Sequence, residues 1–456
     1  MAEVLLSPGV LARENDNSFL TQQPSQAGAA ILGPTPIGPP GIPTVVTSYS
    51  DYTNRFGAVV ESGSNSYTYF TSIAAYNYFQ QGGDSLLVTR IVSASSGWTS
   101  ATSTTIQDSN TSQSFQLSTL SKGIVMNSSS SMGANGTMSS GSADNVRFEI
   151  VSPNTSSGTF SLLVRRGDDS ITSKTVLETW ADLSLDPNAD NYIEKVIGNS
   201  YQSVTSDAGT YYIQNTGTYR TVSRYVRVSS VTNKTLNYFD NNGTAKTAFQ
   251  SLIPIASSGS FNSATGTDFT AVNSPALFYD DISTETQGVT ADDYTESLNL
   301  LANTDEFKYN LIVAPGLTRE SHPSPLSTME DNAQSRGDNL AIIDLSDFGK
   351  NIAEVTTEAS SVDSSYAATY WPWLQTIDPN TGEQVWVPAS TMIPGVYAFN
   401  DNSSEAWFAP AGLNRGGLST VLRAERKLTN GNRDTLYTNN VNPIATFPNA
   451  GVVVFG

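Results

Sequence analysis

The residue types able to do chemistry are sparse here, and their spacing suits little of it. There is one histidine, His322 in "RESHPSP", and no cysteine. Disulfides and thiolate sites are therefore excluded, and an ordinary zinc centre is nearly so. A serine–histidine–aspartate triad would have to use His322, yet no G-x-S-x-G turn accompanies it. Set beside prolines after a strand, His322 reads as a loop residue. Neither G-x-x-x-x-G-K-[ST] nor a G-x-G-x-x-G between strand and helix is present, so no phosphate cradle is expected. Paired carboxylates are what remains. Asp280-Asp281, Asp292-Asp293 and Glu354/Glu358 are the candidates for a pair that cleaves a glycan from two sides. Each has a plainer reading. Asp292-Asp293 places negative charge at a helix N-terminus, and Glu354 and Glu358 line a solvated helix face. The expectation is no catalytic residue, no cofactor and no metal.

The elements that must position any site come next. A chain of 456 residues is too long for one simple core, and two to four domains are expected at ~100–200 residues each. Its net charge is −19 with a pI near 4.3, which argues against phosphate-driven nucleic-acid binding and against an anionic membrane surface. No apolar run approaches the ~20 residues of a membrane span. The N-terminus lacks the basic and long apolar regions of a secretory signal.

Residues 1–20 read as an arm, with "LLSPGV" broken by Pro8 and Gly9. Residues 21–97 alternate strand and helix. "AAIL" and "TVVT" are strands, "YSDYTNRFG" a short helix, "YTYFTSIAAYNYFQQGG" a helix stopped by Gly82-Gly83, and "DSLLVTRIV" a strand apolar on both faces. Near Trp98 the character changes. Residues 98–145 are dense in Ser, Thr, Asn and Gly, and period-two segments such as "VRFEIVS" and "TFSLLVRRGDDS" follow. Residues 98–284 therefore read as β-rich and inserted, with one helix at "DNYIEKVIGNS". The strand–helix alternation returns over 285–456. "ADDYTESLNLLAN", "PLSTMEDNAQSRG" and "NIAEVTTEASSV" are helices, and "KYNLIVAPG" and "DNLAIIDLS" buried strands. "WLQTIDPNTGEQVWV" is a hairpin, "GLSTVLRAERKLTN" a last helix, and "GVVVF" a final strand. The fold class is multidomain α/β (α+β): a discontinuous α/β core carrying a mostly β insertion. Trp371 and Trp373 in "YWPWLQ" belong to the core. In "LNRGG", either Arg415 makes an intersubunit ion pair, or Asn414, Gly416 and Gly417 cap the next helix.

Several stretches resemble the tail sheath proteins of contractile, myovirus-type phages. They are "LLSPGV", "GAAILGPTPIGPPGIPTVVTSYSDYTNRFG", "YNYFQQGGDSLLVTRIV", the segment from "TFSLLVRRGDD" to "NYIEKVIGN", "VPASTMIPGVYAFNDNSSEAWFAPAGLNRGGL" and "LYTNNVNPIATFPNAGVVVFG". They occur in the family's order and cover over half the chain. The resemblance implies a structural subunit that polymerises helically with itself in six-fold rings around a tail tube protein. It also implies baseplate and tail terminator partners, assembly in the host cytoplasm, residence in the virion tail and no insertion into a membrane. Contraction would drive the tube through the host envelope. An extended arm around Leu5, Leu6, Ser7, Pro8, Gly9 and Val10 would link subunits by adding a strand to a neighbour's sheet. The family's chain continues past the valine-rich strand to a second arm, so a truncated C-terminal end is expected after Gly456. The insertion would face outward. Two other readings stay open: a β-rich receptor-binding adhesin of the virion, and a glycan-cleaving depolymerase.

Overall fold

The computed structural model describes residues 25–62, 65–93, 97–129, 131–133, 135–266, 278–405 and 407–456. Its centre is an eight-stranded sheet. The strands run in the order Thr44–Val46, Leu86–Arg90, Ser25–Gly33, Phe307–Thr318, Leu340–Asp344, Ala367–Trp371, Asn442–Phe447 and Gly451–Val454. The six inner strands are parallel to their neighbours, and the outermost strand at each edge is antiparallel. Segments from both ends of the chain thus share one sheet, with some two hundred residues passing elsewhere between Arg90 and Phe307.

Parallel strands need crossovers, and the crossover helices cover both faces, which is why the strands are apolar throughout. Successive side chains alternate between the layers. Ile31 joins Val88, Val313 and Ile342 beneath the Phe70–Gln80 and Ile393–Ser403 helices, where Phe70, Ile73, Ile393 and Val396 complete the layer. Ala30 and Leu32 join Leu87, Ile312 and Ile343 on the opposite face. There Thr295–Leu301 contributes Leu298 and Leu301, and Pro323–Arg336 contributes Leu326 and Met329. Each such aliphatic side chain contributes roughly 1.5–3 kcal/mol on full burial.

Between Trp98 and residue 266 the chain builds two antiparallel sheets around one apolar layer. The four-stranded sheet runs Val176–Ser184, Thr159–Arg166, Val146–Asn154, Ser257–Gly259. The other contains Val226–Val231, Gln113–Lys122, Ser100–Ser103 and Phe261–Asn262, with Ile106–Gln107 beside Gln113–Lys122. Phe115 stacks on Phe160 across the layer at 5.4 Å, and Phe148 meets Phe261 edge-on at 6.0 Å. Helix is scarce here: Ile193–Val196 and Thr247–Gln250 are four residues each.

Three contacts lock this β unit to the α/β sheet. Ile37, in the loop after Ser25–Gly33, is buried in the β unit's apolar layer. Arg90 is fully buried at the end of its strand. Its guanidinium donates to the carbonyls of Thr35 at 3.1 Å, Gly38 at 2.7 Å and Lys122 at 2.9 Å, and it lies over the Trp98 ring. Last, the hairpin of Tyr201–Asp207 and Thr210–Thr216 lays Val204, Tyr211 and Ile213 against the layer under Thr295–Leu301.

One expected element is different. Residues 417–430 do not form a helix. Val421–Ala424 is a strand paired antiparallel with Leu374–Ile377, and the helix begins only at Asn430. The spacing of Leu418, Val421 and Leu422 imitates a helix face, and pairing with a neighbouring strand overrides it.

Candidate assembly surface

The C-terminal part of the chain builds a second, smaller platform on the large sheet. After Trp371 the chain turns into the hairpin of Leu374–Ile377 and Gln384–Val387. Asp378 fixes its turn by accepting from the Asn380 N–H and the Thr381 hydroxyl, both at 2.8 Å. Val421–Ala424 adds to the other side of Leu374–Ile377, so a three-stranded sheet results. Trp371, Trp373 and Leu374 are buried beneath it.

Arginines lie over aromatic rings across this platform. Arg423 lies 5.2 Å from the Trp386 ring centre and Arg426 5.9 Å from that of Trp371. Arg433, on the Asn430–Thr438 helix, sits against both Phe447 and Phe455 at 5.1 and 5.0 Å. Arg415 lies 4.5 Å from Phe408. A guanidinium over a ring stays charged and keeps free N–H donors, so these are plates that can still meet an anion.

The edge strand Gly451–Val454 is not open. The segment 412–418 runs along it: Gly412 N–H donates to the Val454 carbonyl at 2.8 Å, Val454 N–H to Gly416 at 2.8 Å, and Leu418 N–H to Val452 at 3.0 Å. A Cβ on Gly416 would lie 2.4 Å from the Val454 oxygen, so glycine is required for this approach. Gly416 and Gly417 therefore cover a sheet edge, and neither they nor Asn414 cap a helix. Beside them Phe399, Ser403, Leu413 and Arg415 line a hollow of about 480 Å³. Trp407, 78% exposed, and Phe408 stand near one another, ring centres 6.4 Å apart.

The other singled-out residues are dispersed. The arm residues Leu5 to Val10 lie outside the described residues. Asp280 and Asp281 are exposed. Asp293 accepts from the Thr290 N–H at 2.8 Å in a capping box, while Asp292 is exposed beside it. Glu354 closes a second capping box with Asn351, and Glu358 is half-buried one turn on. Asp293 and Glu354 thus have local roles as caps. His322 lies outside regular structure, immediately before a helix, yet it is not at the surface. It is fully buried at the N-cap of Pro323–Arg336, with Nδ1 accepting from the Thr318 N–H at 3.3 Å. Burial lowers its pKa and keeps it neutral, against a small opposing pull from Asp347. Among the described residues, no group of three His, Asp or Glu could hold a metal ion.

One titratable group was not anticipated. Asp344 ends the strand Leu340–Asp344 and is buried without a cation partner among the described residues. Its carboxylate accepts from the Ser390 N–H at 3.0 Å and from the Ser390 hydroxyl. Burial pushes its pKa up to about 7, while the bonds from Ser390 pull the other way.

Residues 287–456 match the phage tail sheath protein central domain. Among relatives, the tail sheath protein of Vibrio phage KVP40 is 33% identical over 102 residues, covering 22% of this chain and 14% of that one. That of Enterobacteria phage T4 is 26% identical over 189 residues, covering 37% of this chain and 28% of that one. The matched segment spans less than a third of either relative. The solved sheath tail protein Lin1278 of Listeria innocua aligns with 94% of this chain and 68% of its own, at 10% identity and a TM-score of 0.49. The helical sheath of the anti-feeding prophage in its contracted state aligns with 99% of this chain and 68% of its own, at 14% identity and a TM-score of 0.37.

Proposed function

We propose that this protein is the structural subunit of a contractile phage tail sheath. It polymerises helically around a tail tube and contracts to drive that tube through the host envelope. The observation that carries the reading is the tail sheath domain over 287–456, which coincides with the C-terminal half of the sheet and its arginine platform. The partners are further copies of itself in six-fold rings, the tube protein, the baseplate and a tail terminator. The site of action is the virion tail, after assembly in the host cytoplasm. No catalytic step is required, because the energy of contraction is the difference between two subunit lattices.

In this reading residues 21–97 and 285–456 form the body, 98–284 an outward-facing insertion, and 1–20 an arm. The arm, through Leu5 to Val10, adds a strand to a neighbouring subunit and keeps the lattice linked while contacts slide. Arg415, on the strip covering the Gly451–Val454 edge, makes a contact between subunits. Negative-stain microscopy of the full-length protein tests the reading. Hollow tubes are expected. Compact trimers would favour an adhesin, and release of sugar from host envelope would favour a depolymerase.

A further inference from the structure

Charge is unevenly distributed along this chain. Residues 278–363 hold 17 Asp and Glu against 4 Lys and Arg, whereas residues 415–433 hold 5 Lys and Arg against a single acidic residue, Glu425. The acidic stretch supplies the helices on one face of the sheet. Glu330 and Asp331 lie on Pro323–Arg336, and Glu330 feels the negative charges of both Asp331 and Asp363. Asp331 and Asp363 are exposed. Arg319, 3.8 Å from Glu330, is the cation nearby.

The basic stretch supplies the platform. Of its five cations only Arg426 has a carboxylate partner, Glu425 at 3.6 Å, among the described residues. Arg423 is exposed, and its Nε donates to Gln375 at 2.7 Å. Lys427 is exposed as well, and Arg426 beside it is half-buried. Stacking on Trp386 and Trp371 holds Arg423 and Arg426 in place, so little side-chain freedom would be lost on meeting an anion. Exposed Arg anchored on aromatic surface is the composition of an interface core.

We infer that the arginine platform centred on Arg423, Arg426 and Lys427 docks on the acidic face around Glu330, Asp331 and Asp363 of a second copy of this chain. The complement the platform requires is present in excess on the same molecule, and that is the reason for choosing a second copy as partner. The two surfaces differ, so the contact is heterologous: each copy keeps one surface free for the next, and association continues as an open array. Steering between opposite charges also speeds encounter and makes it salt-sensitive. This inference rests on the sheath reading and specifies which surfaces of the subunit meet.

Two full-length variants test it, one reversing each surface: Arg423→Glu with Lys427→Glu, and Asp331→Lys with Asp363→Lys. Self-association is followed by sedimentation velocity at low and high salt, and an unchanged melting transition establishes that each variant folds. Wild-type association should weaken as salt rises, and each variant alone should associate about tenfold less well or worse at low salt. An equimolar mixture of the two variants should recover association, because each supplies the surface the other has reversed. A wild type that stays monomeric at low salt, variants that match the wild type, or a mixture that recovers nothing would each overturn the pairing. Recovery by an acidic partner other than this chain, with none in the mixture, would reassign the platform to that partner. The sheath reading stands or falls separately, on hollow tubes in negative stain.

Discussion

The body and the β unit bury charge in opposite ways. In the β unit Asp169 is fully buried and saturated with cations. It accepts from Arg165 at 2.7 and 2.8 Å, from Arg147 at 3.3 Å and from the Thr175 N–H at 3.0 Å. Arg165 also reaches Glu149 at 2.8 Å, which Lys174 holds from outside at 2.8 Å. This cluster ties the loops on both sides of Val146–Asn154 and Thr159–Arg166, where Arg147 also donates to the Gly136 carbonyl at 2.8 Å. The body's Asp344 has only Ser390, and burial raises its pKa to about 7 instead. A Ser- and Gly-rich unit with few helices uses ion pairs to fix its loops. A layered α/β unit has enough apolar surface to tolerate one neutral carboxyl.

The largest effect should come from breaking the saturated cluster. Asp169→Ala leaves the buried Arg147 guanidinium without a carboxylate and Arg165 with Glu149 alone, and should cost about 3–5 kcal/mol in denaturant unfolding. A loss under ~1 kcal/mol would mean that the cluster behaves like a surface pair. In the body, Ile343→Ala removes a fully buried side chain from a central strand and should cost about 2–5 kcal/mol, through apolar area and the cavity left behind. The two variants together compare an ionic anchor with an apolar one.

Asp344→Asn sharpens the contrast through pH. The folded pKa of Asp344 is raised to about 7, above that of an exposed carboxyl. Between those two values the unfolded chain loses the proton and the folded chain keeps it. This group's contribution is therefore fully present at acid pH and is lost as pH rises towards 7. Asn keeps both Ser390 partners and cannot ionise. The stability difference between variant and wild type should therefore grow in the variant's favour from about pH 4 to about pH 7, by on the order of a few kcal/mol. His322 has the opposite sign, since its lowered pKa withdraws stability as pH falls below the ordinary histidine value. A flat difference curve would show that Asp344 is ionised throughout. The smallest effect is expected at a cap: Asn351→Ala removes the acceptor for the Ala353 and Glu354 N–H groups and should cost ~1 kcal/mol by thermal unfolding.

Much of the sheet is legible in the sequence, because strands covered on both faces read as unbroken apolar runs such as "LLVTR" and "LAIID". The helix Ile393–Ser403 is not. It is buried on several sides, through Ile393, Gly395, Val396, Ala398 and Asn400, and so shows no polar face. Only Pro394 in its first turn marked a helix start. The platform was still less legible. Arg423 and Trp386, Arg426 and Trp371, and Arg433 and Phe447 are far apart in the chain, and only the fold brings each pair together. A cluster of cations between 415 and 433 in so acidic a chain was the signal available. Asp344, the polar end of an apolar run, gave no sign that its charge would be unpaired.

In the proposed function the subunit changes its contacts while keeping its shape. Ile37, Arg90 and the Tyr201–Thr216 hairpin lock the β unit to the sheet, so the two should move as one body. Cryo-electron microscopy of tails before and after contraction tests this directly. A helical array of this protein around the tube is expected in both states, with sheet and β unit superimposing as one rigid body and only the contacts between subunits changed. A β unit that swings relative to the sheet between the states, or tails in which this protein forms no helical array, would overturn it.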